Sequence, residues 1–374
     1  MIPGRVMAGL LGAALLTCGL YAGEKTQSFS VKKGETLEVR ADAGEIKVHG
    51  WNKDEIFVRV QSLNDDQLKS VTMSQGGGTV LVEYRRSRHS SEDMQFDISV
   101  PSSFNIDVHT AGGGIEVQGP LSGDLKGNTA GGSITLGDLG GKVQMETAGG
   151  EITEGSVSGD LRLSTAGGDV SVKNVTGAAE VSTAGGTITI GDVGSSLRVS
   201  TAGGDIRVGK VAGELNVSTA GGSIQVLSGR GNVSMSTAGG SITMESGQGR
   251  ISASTSAGNI LLRDIEGSVF ARSNAGNIDV TLDPSVGKES SSMATSAGNV
   301  VLRIPPNAKA TINARARGVA GTGEEDETGI QSDYPVTRPG ARHGETQAEV
   351  VLNGGGQRIL LETMIGSISI RKPK

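Results

Sequence analysis

Apolar and polar residues alternate along most of the chain, and a short glycine-containing motif interrupts the alternation at regular intervals. In the segment Leu161-Arg-Leu163-Ser-Thr165-Ala-Gly-Gly168-Asp-Val170-Ser-Val172, apolar residues occupy every second position on both sides of the glycines. This pattern is typical of strands with one buried face, whereas an amphipathic helix repeats about every 3.6 residues. The glycine pair and a second turn near Gly177 therefore divide each unit into two short strands.

The unit recurs with a fixed spacing. The motif Thr-Ala-Gly-Gly occurs eight times, and from Thr129 onward its copies are 18 residues apart. Positions separated by this step carry similar side chains, as in the column Ile134, Ile152, Val170, Ile188, Ile206, Ile224, Ile242, Ile260 and Ile278. Stacked coils bring such side chains into ladders with a step of about 4.8 Å. The sequence thus predicts an all-β fold, a single-chain β-solenoid with two-strand coils of about 18 residues.

The corners of the predicted coils are formed by the repeated motif. Its threonines share the parity of the neighbouring apolar column, so we expect their hydroxyls inside the corner, hydrogen-bonded to the backbone or to one another. Its glycines are expected to permit the sharp bend, because glycine tolerates both a positive φ and a close approach of backbone.

The period also predicts the organisation of the chain. A signal peptide is predicted at 1–22 and an irregular N-terminal β cap at 23–108, followed by the solenoid at 109–303. A loop or excursion is predicted at 304–347, and C-terminal strands that form a second cap at 348–374. Degenerate copies of the repeat lie near both ends, at 37–48 and 359–370. Repeat proteins need atypical terminal coils, so we interpret these copies as covers for the end edges.

The first residues resemble a secretory signal. Arg5 precedes an apolar run that is too short to span a bilayer, and small residues follow before Gly23, which predicts cleavage after Ala22. The alternative is a lipid anchor at Cys18, which follows Leu-Leu-Thr in an approximate lipobox. Because Cys18 is the only cysteine, no disulfide is expected. No later apolar run predicts a transmembrane segment, so the product is expected in the periplasm, cell envelope or at the cell surface.

Charge and composition narrow the range of functions. The net charge is −6 and the charges are scattered, whereas a nucleic-acid-binding protein would carry a basic stripe. Aromatic residues make up only 2% of the chain, and the repeats contain neither Trp nor Tyr. The repeats therefore offer no stacking platform for sugar rings.

Calcium binding is the first candidate chemistry, because calcium-binding β-rolls also have coils of about 18 residues. Those coils repeat Gly-Gly-x-Gly-x-Asp, but here the corresponding positions are mostly apolar. Asp138, Asp192 and Asp264 share a column that serine, asparagine and lysine interrupt. An aspartate at such a turn usually bonds its own backbone. We expect neither a metal site nor a cofactor.

Polysaccharide cleavage is the second candidate, and it requires paired carboxylates or a clustered acid and base. Glu154 is the one unusual acid, because its column otherwise holds aliphatic residues. An inward carboxylate is costly unless it is protonated or paired, so a local bulge that turns Glu154 outward is expected. No catalytic residue is assigned. A row of serines at Ser164, Ser182, Ser200, Ser218, Ser236 and Ser254 is expected to face solvent.

Several segments resemble the bacterial putative-adhesin family of exported β-strand-repeat proteins. They are Phe29-Ser-Val-Lys-Lys-Gly-Glu-Thr-Leu-Glu-Val39, Gly44-Glu-Ile-Lys-Val-His-Gly50, Ile98-Ser-Val-Pro101 leading into Thr110-Ala-Gly-Gly, and Ile368-Ser-Ile370. The resemblance covers nearly all of the chain after the signal. It implies attachment and supplies no catalytic residues.

Together these features favour a non-catalytic, adhesin-like scaffold or binding module of the envelope or cell surface. Its expected partner is a surface glycan or an envelope protein. The alternative is an envelope regulatory or stress-sensing protein that acts through a protein partner, and the third interpretation is a carbohydrate-active β-helix enzyme.

Overall fold

The computed structural model describes residues 23–86, 94–287, 289–317, 329–337 and 345–373. The predicted signal peptide, Cys18 and the acidic run 324–327 lie outside these residues. In the part of the chain that is described, the elements are strands, apart from the short helix α1 (Asp65–Lys69).

The strands before the regular coils are β1 (Gly23–Ser30), β2 (Thr36–Ala41), β3 (Glu45–Trp51), β4 (Glu55–Ser62), β5 (Val71–Gly76), β6 (Thr79–Tyr84), β7 (Met94–Pro101), β8 (Asn105–Thr110) and β9 (Ile115–Gln118). The regular coils contain β10 (Leu125–Thr129), β11 (Ile134–Leu136), β12 (Val143–Thr147), β13 (Ile152–Val157), β14 (Leu161–Thr165), β15 (Val170–Val175), β16 (Ala179–Ser182), β17 (Ile188–Ile190), β18 (Leu197–Ser200), β19 (Ile206–Val211), β20 (Leu215–Ser218), β21 (Ile224–Ser236), β22 (Ile242–Thr255), β23 (Ile260–Ala275) and β24 (Ile278–Asp283). The remaining strands are β25 (Ser291–Ala297), β26 (Val300–Arg303), β27 (Ala310–Arg317), β28 (Ile330–Ser332), β29 (Glu345–Leu352), β30 (Gln357–Ile365) and β31 (Ile368–Arg371).

Successive coils stack as parallel strands on two faces. Face A contains β12, β14, β16 and β18, and face B contains β11, β13, β15 and β17. Paired residues are separated by 18 positions, as in Val143 with Leu161 and Ile152 with Val170. Their aliphatic side chains are buried and form the core between the faces. The predicted β-solenoid with two-strand coils of about 18 residues is confirmed.

The motif threonines hold adjacent coils together at one corner. The buried Thr165 Oγ1 donates to the carbonyl of Gly150 in the preceding coil at 2.9 Å, and it accepts from the amide of Gly168 at 3.3 Å. The same pair of bonds recurs from Thr129 to Thr255. The expected inward hydroxyls, satisfied by backbone, are therefore confirmed.

The second glycine of the motif is required by space rather than by backbone dihedrals. A Cβ on Gly168 would lie 2.1 Å from the carbonyl oxygen of Gly150, although the φ of Gly168 is not positive. The first glycine is less constrained, since a Cβ on Gly167 would have its nearest neighbour at 3.5 Å. Close approach of coils, and not the positive φ that the sequence also suggested, explains glycine at the regular corners.

The stacking order departs from the chain order at both ends. The N-terminal inserted coil, formed by β2 and β3, lies between the coil of β6 and β7 and that of β8 and β9. The C-terminal inserted coil, formed by β30 and β31, lies between the coil of β25 and β26 and that of β27 and β28.

The two inserted coils are the degenerate repeats at 37–48 and 359–370, so the interpretation of these repeats as end covers is wrong. Their strands pair in parallel on both sides, as only the strands of an interior coil do. Antiparallel strands lie further out instead, with β5 on β6, β1 on β4 and β29 on β27. Such additions reduce the exposure of parallel edges that would otherwise pair with other chains.

The predicted loop at 304–347 needs correction within the described residues. It contains β27, β28 and the start of β29, and β27 alternates strictly between buried and exposed positions. Its buried positions are Ala310, Ile312, Ala314 and Ala316. Alanine contrasts weakly with polar neighbours, which explains why the alternation is inconspicuous in the sequence.

We expect Gly168→Ala to lower the free energy of unfolding by more than about 2 kcal/mol, because the added methyl group forces two coils apart. The matched control, Gly167→Ala, should change it by less than about 1 kcal/mol. Urea denaturation monitored by circular dichroism measures both. Equal effects of the two substitutions would show that coil spacing does not explain the second glycine.

Candidate functional site

The turn acids of the repeats are engaged by backbone. Asp138 Oδ1 accepts from the amide of Ser156 in the next coil at 2.8 Å, and Asp192 Oδ1 accepts from the amide of Lys210 at 2.8 Å. The interrupting residue Asn174 plays the same part, accepting from the amide of Asp192 at 3.0 Å. Where the column holds Asp138, Asn174 or Asp192, the side chain therefore ties its coil to the following one, rather than to its own turn as the sequence suggested.

Metal chemistry finds no support among these residues. Within the residues that the structure describes, no group of three or more His, Cys, Asp or Glu side chains is arranged to hold a metal ion. Asp264, the third acid of the column, has a positive φ of 42° and lies beside a register shift between β23 and β24. It thus departs from the geometry of Asp138 and Asp192.

Glu154 lies inside the solenoid, and the expected outward bulge is wrong. Strand β13 keeps its register through this residue, which pairs with Leu136 on one side and Val172 on the other. The residue is 2% exposed, and neither carboxylate oxygen has a hydrogen-bond partner among the described residues. Continuous pairing with the neighbouring coils fixes the direction of the side chain. The stability gained from this pairing outweighs the cost of burying a carboxyl group.

Burial controls the ionisation of this acid. Removal from water, together with the nearby charge of Asp138, raises the pKa of Glu154 to about 8. The carboxyl group is therefore mostly protonated at neutral pH, which greatly reduces the cost of its burial. Enclosed between aliphatic residues, it cannot reach a substrate at the surface.

The outer surface of face A carries a shallow polar recess of about 620 Å³. Small side chains, Ala178 and Ser196, lie among longer ones in the lining, and the charged lining residues are Lys142, Glu146, Asp160, Arg162, Glu180, Arg198 and Glu214. The outward row Arg162, Glu180 and Arg198 follows the 18-residue register of β14, β16 and β18. Periodic placement thus groups donors and acceptors that are distant in the sequence.

The charged groups of the recess differ in their partners. Arg162 pairs with Glu180 at 2.7 Å, and Asp160 accepts from the amide of Ala178 at 2.9 Å. Arg198 is exposed and forms no ion pair with any residue that the structure describes. Its planar guanidinium can therefore donate to an external acceptor.

The serine row lies on the same face, two residues after the charged row. Ser164 and Ser182 are partly buried, and the Ser182 hydroxyl donates to that of Ser164 at 3.3 Å. Sequence reasoning identified the serines but missed the charged row. Reading the column two positions before each serine would have located Arg162, Glu180 and Arg198.

Comparison with known proteins finds a family model that matches part of the chain. Residues 25–208 match the family described as Toastrack DUF4097, which confirms the family resemblance and the solenoid class. No curated protein is similar enough to count as a match.

Three solved structures illustrate the structural neighbours. A putative adhesin from Bacteroides fragilis is 13% identical, with a TM-score of 0.27, over 76% of this chain and 97% of its own. A putative lipid binding protein from Parabacteroides distasonis is 14% identical, with a TM-score of 0.27, over 76% and 97%. A putative adhesin from Parabacteroides merdae is 11% identical, with a TM-score of 0.31, over 75% and 96%. With TM-scores below 0.5, these superpositions do not decide a function.

None of the described residues forms a helix with the length and apolar character needed to cross a bilayer.

We expect the stability of the wild type to fall relative to Glu154→Leu as the pH rises from about 4.5 to about 8. In this window the unfolded chain loses the proton that the folded chain keeps, so unfolding becomes more favourable. At about 1.4 kcal/mol per pH unit, the relative loss is on the order of 5 kcal/mol. Urea denaturation at a series of pH values measures it.

The control variant Glu151→Leu removes an exposed carboxylate from the adjacent turn. It should keep the pH profile of the wild type. Parallel profiles for the wild type and Glu154→Leu would show that Glu154 ionises normally and is not enclosed.

Proposed function

We propose that the chain, whose residues 25–208 match the Toastrack DUF4097 family model, is a non-catalytic binding scaffold exported to the cell envelope or cell surface. In this proposal the solenoid provides a rigid rod, and its polar outer surface binds a hydroxyl-rich surface glycan. The adhesin-like role implied by the family resemblance agrees with such a scaffold.

The observation that carries the proposal is the recess on face A. It places three cationic and four anionic side chains around small residues, so it offers both donors and acceptors without a strong net charge. Sugar hydroxyls both donate and accept hydrogen bonds, and such a mixed surface complements them better than it complements a polyanion. The exposed guanidinium of Arg198 supplies donors that no described side chain occupies in an ion pair.

The engagement of the acids supports binding rather than catalysis. Asp160 is held by a backbone amide and Glu180 by Arg162. A general acid or base must come within hydrogen-bond reach of the reacting group, and Glu154 is enclosed in the core. The enzyme interpretation thus lacks its main candidate residue.

We expect Arg198→Glu to weaken retention of the purified protein on surface polysaccharide prepared from producing cells. A hydrogen bond to a charged group is worth about 1.5–3 kcal/mol, so the loss should be roughly tenfold or more. The control Lys173→Glu makes the same change of charge at an exposed position on face B. Retention is measured by co-sedimentation.

Unchanged retention of Arg198→Glu would show that the recess does not bind the polysaccharide. Release of sugar fragments by the wild type would overturn the non-catalytic role. Retention on protein-containing envelope fractions alone would favour the regulatory alternative, in which a protein is the partner.

We expect protease added to intact producing cells to cleave the protein, because the proposed partner lies at the surface. Protection until the envelope is opened would instead favour an internal envelope role. Globomycin should leave processing unchanged if cleavage follows Ala22, whereas accumulation of the precursor would indicate a lipid anchor at Cys18. Unprocessed protein in the cytoplasm would overturn export.

A further inference from the structure

The C-terminal inserted coil is held on both sides by coils that precede it in the sequence. Strand β30 pairs in parallel with β25 and with β27, and β31 pairs in parallel with β26 and with β28. The coil therefore fills a slot with an inner wall at 291–303 and an outer wall made by β27 (310–317) and β28 (330–332). Both walls present the backbone groups of parallel strand edges to it.

The contacts in the slot repeat those of the regular coils. Thr363 Oγ1 donates to the carbonyl of Gly298 at 2.8 Å, and the amide of Ser367 donates to Asn299 Oδ1 at 2.8 Å. Ile359, Leu361, Ile368 and Ile370 are buried. The slot thus binds the coil through strand pairing of the backbone, through the coil's alternating buried side chains and through its corner threonine.

Within the described residues, strand pairing joins the outer wall to the inner wall only through the inserted coil. Within the described residues, β27 pairs with β29 and β30, and β28 pairs with β31. Parallel pairing does not join β27 to β25 directly. Departure of the coil therefore leaves two complementary edges exposed, separated by the width of one coil.

A compact turn connects the coil to β29. Asn353, Gly354 and Gly355 all have positive φ, at 49°, 81° and 84°. The turn carries the chain across the start of β27, since β29 and β30 lie on opposite sides of that strand. The side-chain amide of Asn353 holds it in place by donating to the carbonyls of Pro306 and Ala308, at 2.9 and 2.7 Å.

We propose that the C-terminal inserted coil is exchanged between copies of this chain, so that the slot of one copy is filled by residues 357–371 of another. The exchanged coil makes the same backbone and side-chain contacts as the intramolecular one, and only the turn at 353–356 changes. Domain swapping exchanges an identical element between copies, and here it requires a change of conformation only in a short connection. The partner is a second copy, because the slot matches this sequence in register and in its corner.

Cysteine pairing between two full-length variants tests the exchange. Both carry Cys18→Ser; one also carries Ser292→Cys and the other Leu360→Cys, at register partners on β25 and β30. Paired strands lie within disulfide range. After the two are unfolded and refolded together at high protein concentration, we expect a disulfide-linked dimer that contains one copy of each.

The control mixture replaces Ser292→Cys with Ser252→Cys, which lies on the same face but two strands away from Ser292. Exchange predicts several-fold more mixed dimer for the Ser292 pair than for this control. No excess over the control would overturn the proposal. A single chain with both Ser292→Cys and Leu360→Cys must form an intrachain disulfide, and failure to do so would overturn the register on which the proposal rests.

The turn provides a second, independent readout. Gly354→Val disfavours the positive φ of the compact turn and favours an extended connection. It should raise the yield of mixed dimer several-fold in the Ser292 and Leu360 mixture. A lower or unchanged yield would overturn the role of the turn in exchange.

Discussion

The structure depends on how closely successive coils approach each other at the Thr-Ala-Gly-Gly corner. There a Cβ on Gly168 would lie 2.1 Å from the carbonyl oxygen of Gly150 in the preceding coil, and the motif threonine donates one hydrogen bond to that carbonyl and accepts one within its own coil. A single 18-residue coil lacks the carbonyl of the preceding coil and the strand pairing with its neighbours, so its short strands gain stability only when they are stacked. The polar turn residues add a second link between coils, since Asp138 and Asp192 bind backbone amides of the coil that follows.

This stacking explains how a carboxyl group can be held in the apolar core. Glu154 is inward because Ile152 before it and Val157 after it are paired with their counterparts in the next coil. Turning the carboxyl group outward would require breaking that register. Protonating the carboxyl group costs less than breaking the register, and the raised pKa of Glu154 reflects this protonation.

The regular part of the fold was predictable because its information is local and periodic. The column of Ile134 and its equivalents predicted the ladders, and the parity of the threonines predicted that their hydroxyls lie inside the corner. The stacking order at the ends was not predictable in this way. Similarity to the repeat identifies 37–48 and 359–370 as coils, but it cannot indicate which coils flank them, because that depends on pairing between distant segments. The charged row of the recess was missed because its members alternate in sign and so form no charge run.

The inserted coils also constrain how such a protein can change in length. At each end the chain leaves the stack, builds outer strands and returns beside an earlier coil, so an added unit there would have to displace paired strands. Between β10 and β22 no such constraint exists, and each coil meets equivalent neighbours on both sides. Gain or loss of whole 18-residue units in this central region would lengthen or shorten the rod by about 4.8 Å each and leave both ends unchanged. The reach of the molecule is thus an evolutionary variable independent of its termini.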